Sequence, residues 1–140
     1  MDVIFNNFYR KKKVLVIGNT GFKGSWLSIW LMKLGADVYG LSNEIPTKPS
    51  LYKAALLQKK IKTNFSDIND LNSVIKIFKK IKPDIIFHLA GVNRDINEEQ
   101  VFDKNNKIND LLFTALEKIK FKGKLLFTSS TQEETKTLYG

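Results

Sequence analysis

The chain has 140 residues, of which 43% are hydrophobic and 26% are charged, values typical of one globular domain with its own core. It contains no cysteine, which excludes disulfide bonds and cysteine metal sites, and we expect no bound metal. No apolar run approaches the ~20 residues that a membrane-spanning helix needs, and we expect no membrane partner.

The net charge of +9 allows two interpretations, a nucleic-acid surface or a general preference for lysine. The lysines are scattered except for the run at 11–13, and Arg10 and Arg94 are the only arginines. Nucleic-acid sites favour arginine forks and interleaved aromatics, so we expect no nucleic-acid partner. The basic run follows the apolar residues of the N-terminus, the reverse of a secretory signal, which predicts a cytoplasmic location.

The first distinctive stretch is a strand, a glycine-rich turn and a helix, in that order. Residues 13–17 are typical of a buried strand and residues 26–34 of a helix, with Gly18, Gly21 and Gly24 between them. In a dinucleotide-binding fold the first glycine allows a sharp turn, the second lets the backbone approach a pyrophosphate, and the third lets helix and strand pack closely. The N–H groups at the helix N-terminus attract phosphate. The stretch therefore predicts a dinucleotide site.

The helix of this unit carries a broad apolar stripe at helical spacing, which we expect to be buried. Both tryptophans are predicted to pack in the protein rather than to stack on a base. Gly35 is predicted to end the helix as a C-cap glycine. Residues 1–12 are predicted to be a lead-in that lays aromatics against the main domain, which occupies residues 13–140. The stripe consists of Phe22, Trp26, Leu27, Trp30, Leu31 and Leu34.

Residues 37–41 are predicted to form the second strand, and in this type of fold the side chain after that strand selects the cofactor. An acidic side chain there binds the ribose of NAD, and a basic one favours NADP. Ser42 and Asn43 occupy the position, with Glu44 one step late. The residues alone therefore leave NAD and NADP open. Residues 44–52 are predicted to form a loop.

The remaining elements continue the alternation of strands and helices, and His88 lies within one of these strands. Because it lies inside the strand, before the end where a ligand would bind, a structural role is predicted for it rather than that of a general base. Together with the dinucleotide-type glycine turn, the alternation predicts an α/β fold, a Rossmann-type doubly wound parallel sheet of about five strands in the order 3-2-1-4-5, with an open fifth strand. The predicted elements are a short helix at 52–60, a strand at 61–65, a helix from 71 that stops before Pro83, a strand at 84–89, a long helix at 99–119 and a strand at 124–128.

The Gly-x-x-Gly-x-x-Gly spacing after a first strand resembles the extended short-chain dehydrogenase/reductase family, which includes NAD-dependent epimerases and dehydratases of sugar nucleotides. Residues 18–27 and 46–52 closely resemble CDP-glucose 4,6-dehydratases, although Asn19 stands where the usual string has histidine. From Gly91 onward the chain is more similar to reductases that finish capsular deoxy-amino sugars. The resemblance implies NAD as cofactor, a nucleotide-sugar substrate and a role in surface polysaccharide biosynthesis.

The resemblance also implies a set of cofactor-binding residues. In the family an acidic residue and its apolar neighbour hold the adenine at the end of the third strand, and Asp67 and Ile68 match that position; alternatively, Asp67 is a helix N-cap. Asn105 falls near the place where the family keeps an asparagine close to the active site. The residues expected to bind the cofactor are Gly18, Thr20, Gly21, Phe22, Lys23, Gly24, Ser42, Asn43, Asp67, Ile68, Leu89, Ala90, Gly91 and Asn105.

The catalytic residues that the resemblance implies are Ser130 and Tyr139. In the family a tyrosinate takes the proton of a sugar hydroxyl, a lysine four positions later lowers the tyrosine pKa, and a serine or threonine hydrogen-bonds the same sugar oxygen. The sequence ends at Gly140, before that lysine and the substrate-binding lobe, so we expect an incomplete domain. Thr131 and Gln132 stand where dehydratases carry an acid–base pair, which argues against dehydration.

Two functions remain open from the sequence. The first is an NAD(P)-binding enzyme that modifies a sugar nucleotide as an epimerase, dehydratase or reductase. The second is a non-catalytic or truncated nucleotide-binding module that needs a partner chain. The expected assembly is a homodimer, or docking on a longer partner through the open strand.

Overall fold

The computed structural model describes residues 4–91 and 97–128, in which five strands alternate with four helices. Two short 3₁₀ turns cover Ile4–Asn7 and Leu57–Lys59. The short helix predicted for 52–60 is therefore wrong as a single element, because a helical turn and a 3₁₀ turn divide it. In chain order the elements are β1 (Lys13–Ile17), α1 (Phe22–Lys33), β2 (Asp37–Ser42), α2 (Leu51–Ala54), β3 (Lys62–Phe65), α3 (Leu71–Ile81), β4 (Ile85–His88), α4 (Glu98–Lys118) and β5 (Lys124–Phe127).

The strands form one parallel sheet in the order β3-β2-β1-β4-β5, which confirms the predicted topology. Ile17 at the end of β1 is in register with Leu41 in β2 and with His88 in β4. The loops that follow these strands therefore gather at one end of the sheet, which we call the carboxyl edge. In α/β sheets this is the end where ligands bind.

Both faces of the sheet are covered. Along β1, Val14 and Val16 point to the face that carries α1 and α2, whereas Leu15 and Ile17 point to the face that carries α3 and α4. All four side chains are buried. This two-sided burial explains why β1 is a continuous apolar run rather than an alternating one.

Helix α1 buries only part of the apolar stripe that its sequence predicts. Leu31 is buried and Leu27 packs against the core, as expected. Phe22, Trp26 and Trp30 are 71%, 54% and 50% exposed, so the expectation is wrong for the three aromatic residues. The buried side of α1 consists of Gly24, Ser25, Ser28 and Leu31.

The reason is the close approach of α1 to the turn after β1. A Cβ at Gly24 would overlap the carbonyl oxygen of Gly18 and lie 2.8 Å from Cα of Asn19. Only small residues fit at this crossing, and the two serine hydroxyls on the buried side are satisfied by backbone carbonyls, Ser25 by that of Asn19 and Ser28 by that of Gly24. The close packing predicted for Gly24 is confirmed, and it places the large aromatics on the opposite side of the helix.

Gly35 ends α1 as predicted. Its φ is +82°, its N–H donates to the Met32 carbonyl at 3.0 Å, and the next N–H, of Ala36, donates to the Leu31 carbonyl at 3.0 Å. This pair of bonds is the Schellman arrangement, in which the left-handed residue is usually glycine.

Candidate cofactor site

Gly18 makes the turn that ends β1. Its φ is +88°, in the left-handed region, and its N–H donates to the Leu41 carbonyl at 2.8 Å. A Cβ at this position would lie 3.0 Å from the backbone nitrogen of Ala90. The sharp turn predicted for Gly18 is confirmed, and the segment after β4 also leaves no room there for a side chain.

Gly21 is the N-cap of α1, and no side chain in the described part of the chain caps this helix N-terminus. Its φ is −72°, and a Cβ would meet only the Gly18 carbonyl oxygen at an ordinary contact distance of 3.5 Å. Neither backbone conformation nor packing therefore requires glycine at this position. Its bare backbone leaves open space in front of the first N–H groups of α1, where a pyrophosphate would be attracted. The residues present fit a dinucleotide.

A buried polar network lies beneath the glycine loop (residues 18–24) and centres on Asn19, which is fully buried. The Asn19 amide nitrogen donates to the Thr63 hydroxyl at 2.8 Å, and Asn19 Oδ1 accepts from Ser42 Oγ at 3.0 Å. The Asn19 backbone carbonyl accepts from Ser25 Oγ at 3.1 Å. The Asn19 side chain thus connects the loop to β2 and β3, and the Asn19 carbonyl connects the loop to α1.

Sequence reasoning missed this role of Asn19 and recorded only the departure from histidine. A signal exists in Gly40, because a glycine inside a strand often marks close approach by another segment. A Cβ at Gly40 would overlap the Asn19 amide. The Tyr52 hydroxyl also donates to Thr63, at 2.9 Å. The glycine loop and the stretch at 46–52, which together carry the resemblance, are therefore joined through one threonine hydroxyl.

Thr20 and Ser42 are also buried, at 3% and 7% exposure. The Thr20 hydroxyl donates to the Glu44 carbonyl, and the Thr20 N–H lies 3.4 Å from Ser42 Oγ. Asn43 is exposed, and its Oδ1 accepts from the Ile68 N–H at 3.1 Å. The side chains of Thr20 and Ser42 thus hold the loop against the end of β2, whereas Asn43 faces solvent at the carboxyl edge.

Asp67 and Ile68 follow β3 at the same edge. The Ile68 side chain belongs to the core, and the exposed Asp67 carboxylate accepts from the Asn69 N–H at 2.8 Å. The alternative of Asp67 as an N-cap is wrong, because Asp70 caps α3 and its carboxylate accepts from the hydroxyl and N–H of Ser73. These hydrogen bonds, that of the hydroxyl first, hold the pKa of Asp70 below its ordinary value.

The segment after β4 passes beside the glycine loop. The Leu89 N–H donates to the Ile17 carbonyl at 2.9 Å, and the chain then continues through Ala90, which packs against the turn after β1. A Cβ at Gly91 would lie 3.3 Å from Oδ1 of Asn105, so α4 brings Asn105 next to this segment. The structure thus places Asn105 beside this segment, and its role near an active site stays a prediction.

Phe22 and Lys23 are exposed on the first turn of α1, directly after the loop. The structure thus brings the glycine loop, Ser42 and Asn43, the turn at 67–68 and the segment at 89–91 to the carboxyl edge. Ser130 and Tyr139 lie outside the described residues. The described chain ends at Thr128, whose N–H donates to the carbonyl of the last residue of β4 at 3.2 Å.

His88 is buried in β4, where its ring lies 5.4 Å from that of Phe127. Its Nε2 is 3.2 Å from Oδ1 of Asn109, and its Nδ1 has no partner among the described residues. Burial lowers the pKa of His88 below 6.5, and the Asn109 contact opposes this only in part. The neutral imidazole therefore donates from Nε2 and serves the packing of β4 against α4 and β5.

The lowered pKa of His88 predicts a pH dependence of stability. Below about pH 6.5 the unfolded chain binds the proton before the folded one does, so the free energy of unfolding should fall as the pH decreases toward 5. We expect urea denaturation at a series of pH values to show this slope, and His88→Gln to abolish it. The Asp70 carboxylate does not contribute to this slope, because its lowered pKa affects the free energy of unfolding only below about pH 3.8. An unchanged slope in His88→Gln would contradict the assignment.

A cavity of about 850 Å³ lies at the opposite, amino end of the sheet. Its walls include Lys79 and Lys82 at the end of α3 and Lys122 after α4. Lysines at helix C-termini offset the negative end of the helix dipole, which accounts for the positive charge around this cavity. Because the glycine loop lies at the other edge, the cavity is separate from the candidate cofactor site.

Among the described residues no cluster of three histidine or acidic side chains could hold a metal ion. In the same part of the chain, no helix is long and apolar enough to cross a bilayer.

The model of a protein family described as the NAD dependent epimerase/dehydratase family matches residues 14–136. A CDP-glucose 4,6-dehydratase of Salmonella typhimurium is 42% identical over 89 residues, which cover 64% of this chain and 25% of that protein. Among solved structures, the epimerase Mth375 of Methanothermobacter thermautotrophicus has a TM-score of 0.67 and 29% identity, over 91% of this chain and 38% of that one.

The UDP-glucose-4-epimerase of Stenotrophomonas maltophila, solved with bound NAD and formylated UDP-arabinopyranose, has a TM-score of 0.72 and covers 86% of this chain and 38% of that one. Its 22% identity shows the fold alone. The chain thus spans between 25% and 38% of the length of these three proteins. The family model covers nearly all of the sheet and its glycine loop, and on that match the chain belongs to the NAD dependent epimerase/dehydratase family.

Proposed function

We propose that this chain binds NAD along the carboxyl edge and serves hydride transfer at the hexose of a nucleotide sugar. The observation that carries the proposal is the glycine loop, in which Gly18 and Gly24 are required by conformation and packing whereas Gly21 is not. A glycine without a structural reason, at an uncapped helix N-terminus, is explained by a ligand that needs the space.

Different residues along the carboxyl edge would bind different parts of the cofactor. The backbone of the glycine loop, with Phe22 and Lys23 at its end, would hold the pyrophosphate. Asp67 and the backbone of Ile68 would face the adenine, and the small residues at 89–91, with Asn105 behind them, would lie under the nicotinamide half.

The end of β2 favours NAD over NADP. The Ser42 hydroxyl donates to Asn19 and is buried, so it is not presented to a ribose. The exposed residues at this end are Asn43 and Glu44, and the Thr20 hydroxyl holds the Glu44 backbone against the loop. A carboxylate here would accept from ribose hydroxyls and repel a 2′-phosphate.

In the proposed chemistry Ser130 hydrogen-bonds the reacting sugar oxygen and Tyr139 takes its proton. NAD, when bound, accepts the hydride from the sugar carbon. The substrate class is a nucleotide hexose, in agreement with the dehydratases and epimerases that the chain resembles, and the setting is surface polysaccharide biosynthesis in the cytoplasm. The reaction is an epimerisation, dehydration or reduction, carried by the domain at residues 13–140 together with a lysine and a substrate lobe from a continued or partner chain.

A second function is a nucleotide-binding module without catalysis of its own, which docks on a longer chain. The observation in its favour is the outer edge of β5, which pairs with no other strand among the described residues and where Leu126 and Phe127 are each 43% exposed. An unpaired strand edge with apolar side chains is a template for pairing with another strand.

Calorimetric titration of NAD and then NADP into the purified chain tests the proposal. We expect saturable binding of NAD, weaker binding of NADP, and at least a roughly tenfold loss of NAD affinity in Gly21→Val, whose branched side chain fills the pyrophosphate space. Gly21→Ala is the graded control, and circular dichroism establishes that each variant is folded. Absence of heat with both nucleotides from a folded chain would overturn the proposal. Binding without formation of reduced cofactor from nucleotide hexoses would favour the module.

A further inference from the structure

The outward side of α1 carries an exposed aromatic surface. Phe22, Trp26 and Trp30 recur at intervals of four residues and lie opposite the small residues that face the sheet. The ring of Phe5, from the N-terminal 3₁₀ turn, lies 5.8 Å from that of Trp30 and is itself 52% exposed. We call these four residues the aromatic face.

The charged residues of the segment that carries the aromatic face are cationic. Residues 4–36, between Asp2 and Asp37, contain six cations and no acidic residue. Lys23 and Lys33 lie on α1 itself, and Arg10 packs against Gly35 at the end of that helix. Lys12 and Lys13 of this segment lie at the amino end of the sheet, so the positive charge near the aromatic face rests on Lys23, Lys33 and Arg10.

Large exposed aromatic surfaces mark sites of interaction with a partner or a membrane. A partner of this face must offer an apolar layer into which the rings can insert, and negative charge that can pair with the lysines. A second copy of the chain meets the first requirement but not the second, because two faces in contact would bring Lys23 and Lys33 against like charges. Single-stranded nucleic acid meets the second, but it is bound in grooves, whereas the outward side of a helix is a convex ridge.

We infer that the aromatic face docks on the surface of an anionic lipid bilayer. Tryptophan and phenylalanine rings insert at the level of the headgroups, and neighbouring lysines pair with anionic lipid while their stems lie along the apolar boundary. Such binding is reversible and falls with salt, since a few rings and a few charges together anchor only weakly. The inference departs from the expectation of no membrane partner and does not depend on the proposed function.

The chain carries its own probe for this test, because Trp26 and Trp30 are its two tryptophans. Vesicles of equimolar phosphatidylglycerol and phosphatidylcholine should shift the tryptophan emission to the blue, and brominated acyl chains should quench it. Pure phosphatidylcholine vesicles should do neither, and high salt should reverse the shift. In co-sedimentation, Trp26→Ser should reduce vesicle binding roughly tenfold, because one inserted ring is lost.

Phe102→Ser is the matched control, since Phe102 on α4 is 51% exposed and lies outside the basic segment. It should bind vesicles as the unaltered chain does. Three results would overturn the inference: no shift with anionic vesicles, a shift only with a single-stranded oligonucleotide, or emission that is blue-shifted without lipid and moves to the red on dilution. The last result would assign the face to a second copy of the chain.

Discussion

Replacing Gly24 by alanine should lower the free energy of unfolding by about 3 kcal/mol, although alanine is the better helix former. Helix propensity favours the substitution by about 1 kcal/mol. The new Cβ would overlap the carbonyl oxygen of Gly18, which cannot move away because the Gly21 N–H donates to it at 3.2 Å and closes the turn. Steric overlap with backbone therefore outweighs propensity, and α1 must shift away from β1.

Gly21→Ala is the matched control in the same loop, because its Cβ would stand at an ordinary distance of 3.5 Å from the same oxygen. We expect this variant to lose less than about 1 kcal/mol, the usual effect of alanine at an N-cap that held glycine. Urea denaturation followed by circular dichroism gives both values. Equal losses in the two variants would show that the close approach of α1 does not decide the residue at position 24.

Asn19→Ala should also cost about 3 kcal/mol. The Ser42 hydroxyl loses its acceptor and the Thr63 hydroxyl loses a donor, and the space of a fully buried amide is left empty. Because the same amide ties the glycine loop to β2 and β3, the affinity for NAD should fall as well. Chemical denaturation and calorimetry measure the two losses separately.

A substitution at Gly40 tests whether the Asn19 side chain fills the space beside β2. Gly40→Ala places a methyl group where the Asn19 amide lies, so it should be destabilising when Asn19 is present. In the double variant with Asn19→Ala that space is free, and the loss should be smaller than the sum of the two single losses by more than about 1 kcal/mol. Additive losses would mean that the two residues do not share the site.

Much of the fold follows from local pattern. The alternation of apolar runs and helical stripes predicts all five strands, with ends within a residue or two of those observed. Their order follows from the dinucleotide-binding fold that the glycine turn indicates, combined with right-handed crossovers. The two glycines with the strongest backbone constraints, Gly18 and Gly35, were identified for the right reason, since each has a left-handed φ. These features depend on near neighbours in the chain, which a sequence displays directly.

The two largest misses, on α1 and at Asn19, have one physical origin, which is contact between distant segments. The spacing of apolar residues in α1 shows how wide the apolar face of the helix is. It does not show how closely the helix approaches the sheet, and this distance leaves the three aromatic residues outside. The sequence shows at Asn19 only a departure from the usual histidine, because the partners of its side chain, Ser42 and Thr63, are 23 and 44 positions away.

By itself the sequence determined the layers of the fold, the position of the glycine loop and the edge at which a dinucleotide would bind. These features depend on backbone conformation and periodic burial, which are set by residues close together in the chain. Only the tertiary structure decided which polar side chains are available there. The hydroxyls of Thr20 and Ser42 hold the loop in place, and Asn43 is left exposed. The tertiary structure also decided that the tryptophans of α1 face outward. The backbone of the turn after β1 lies so close to α1 that only glycine and serine fit where the two meet.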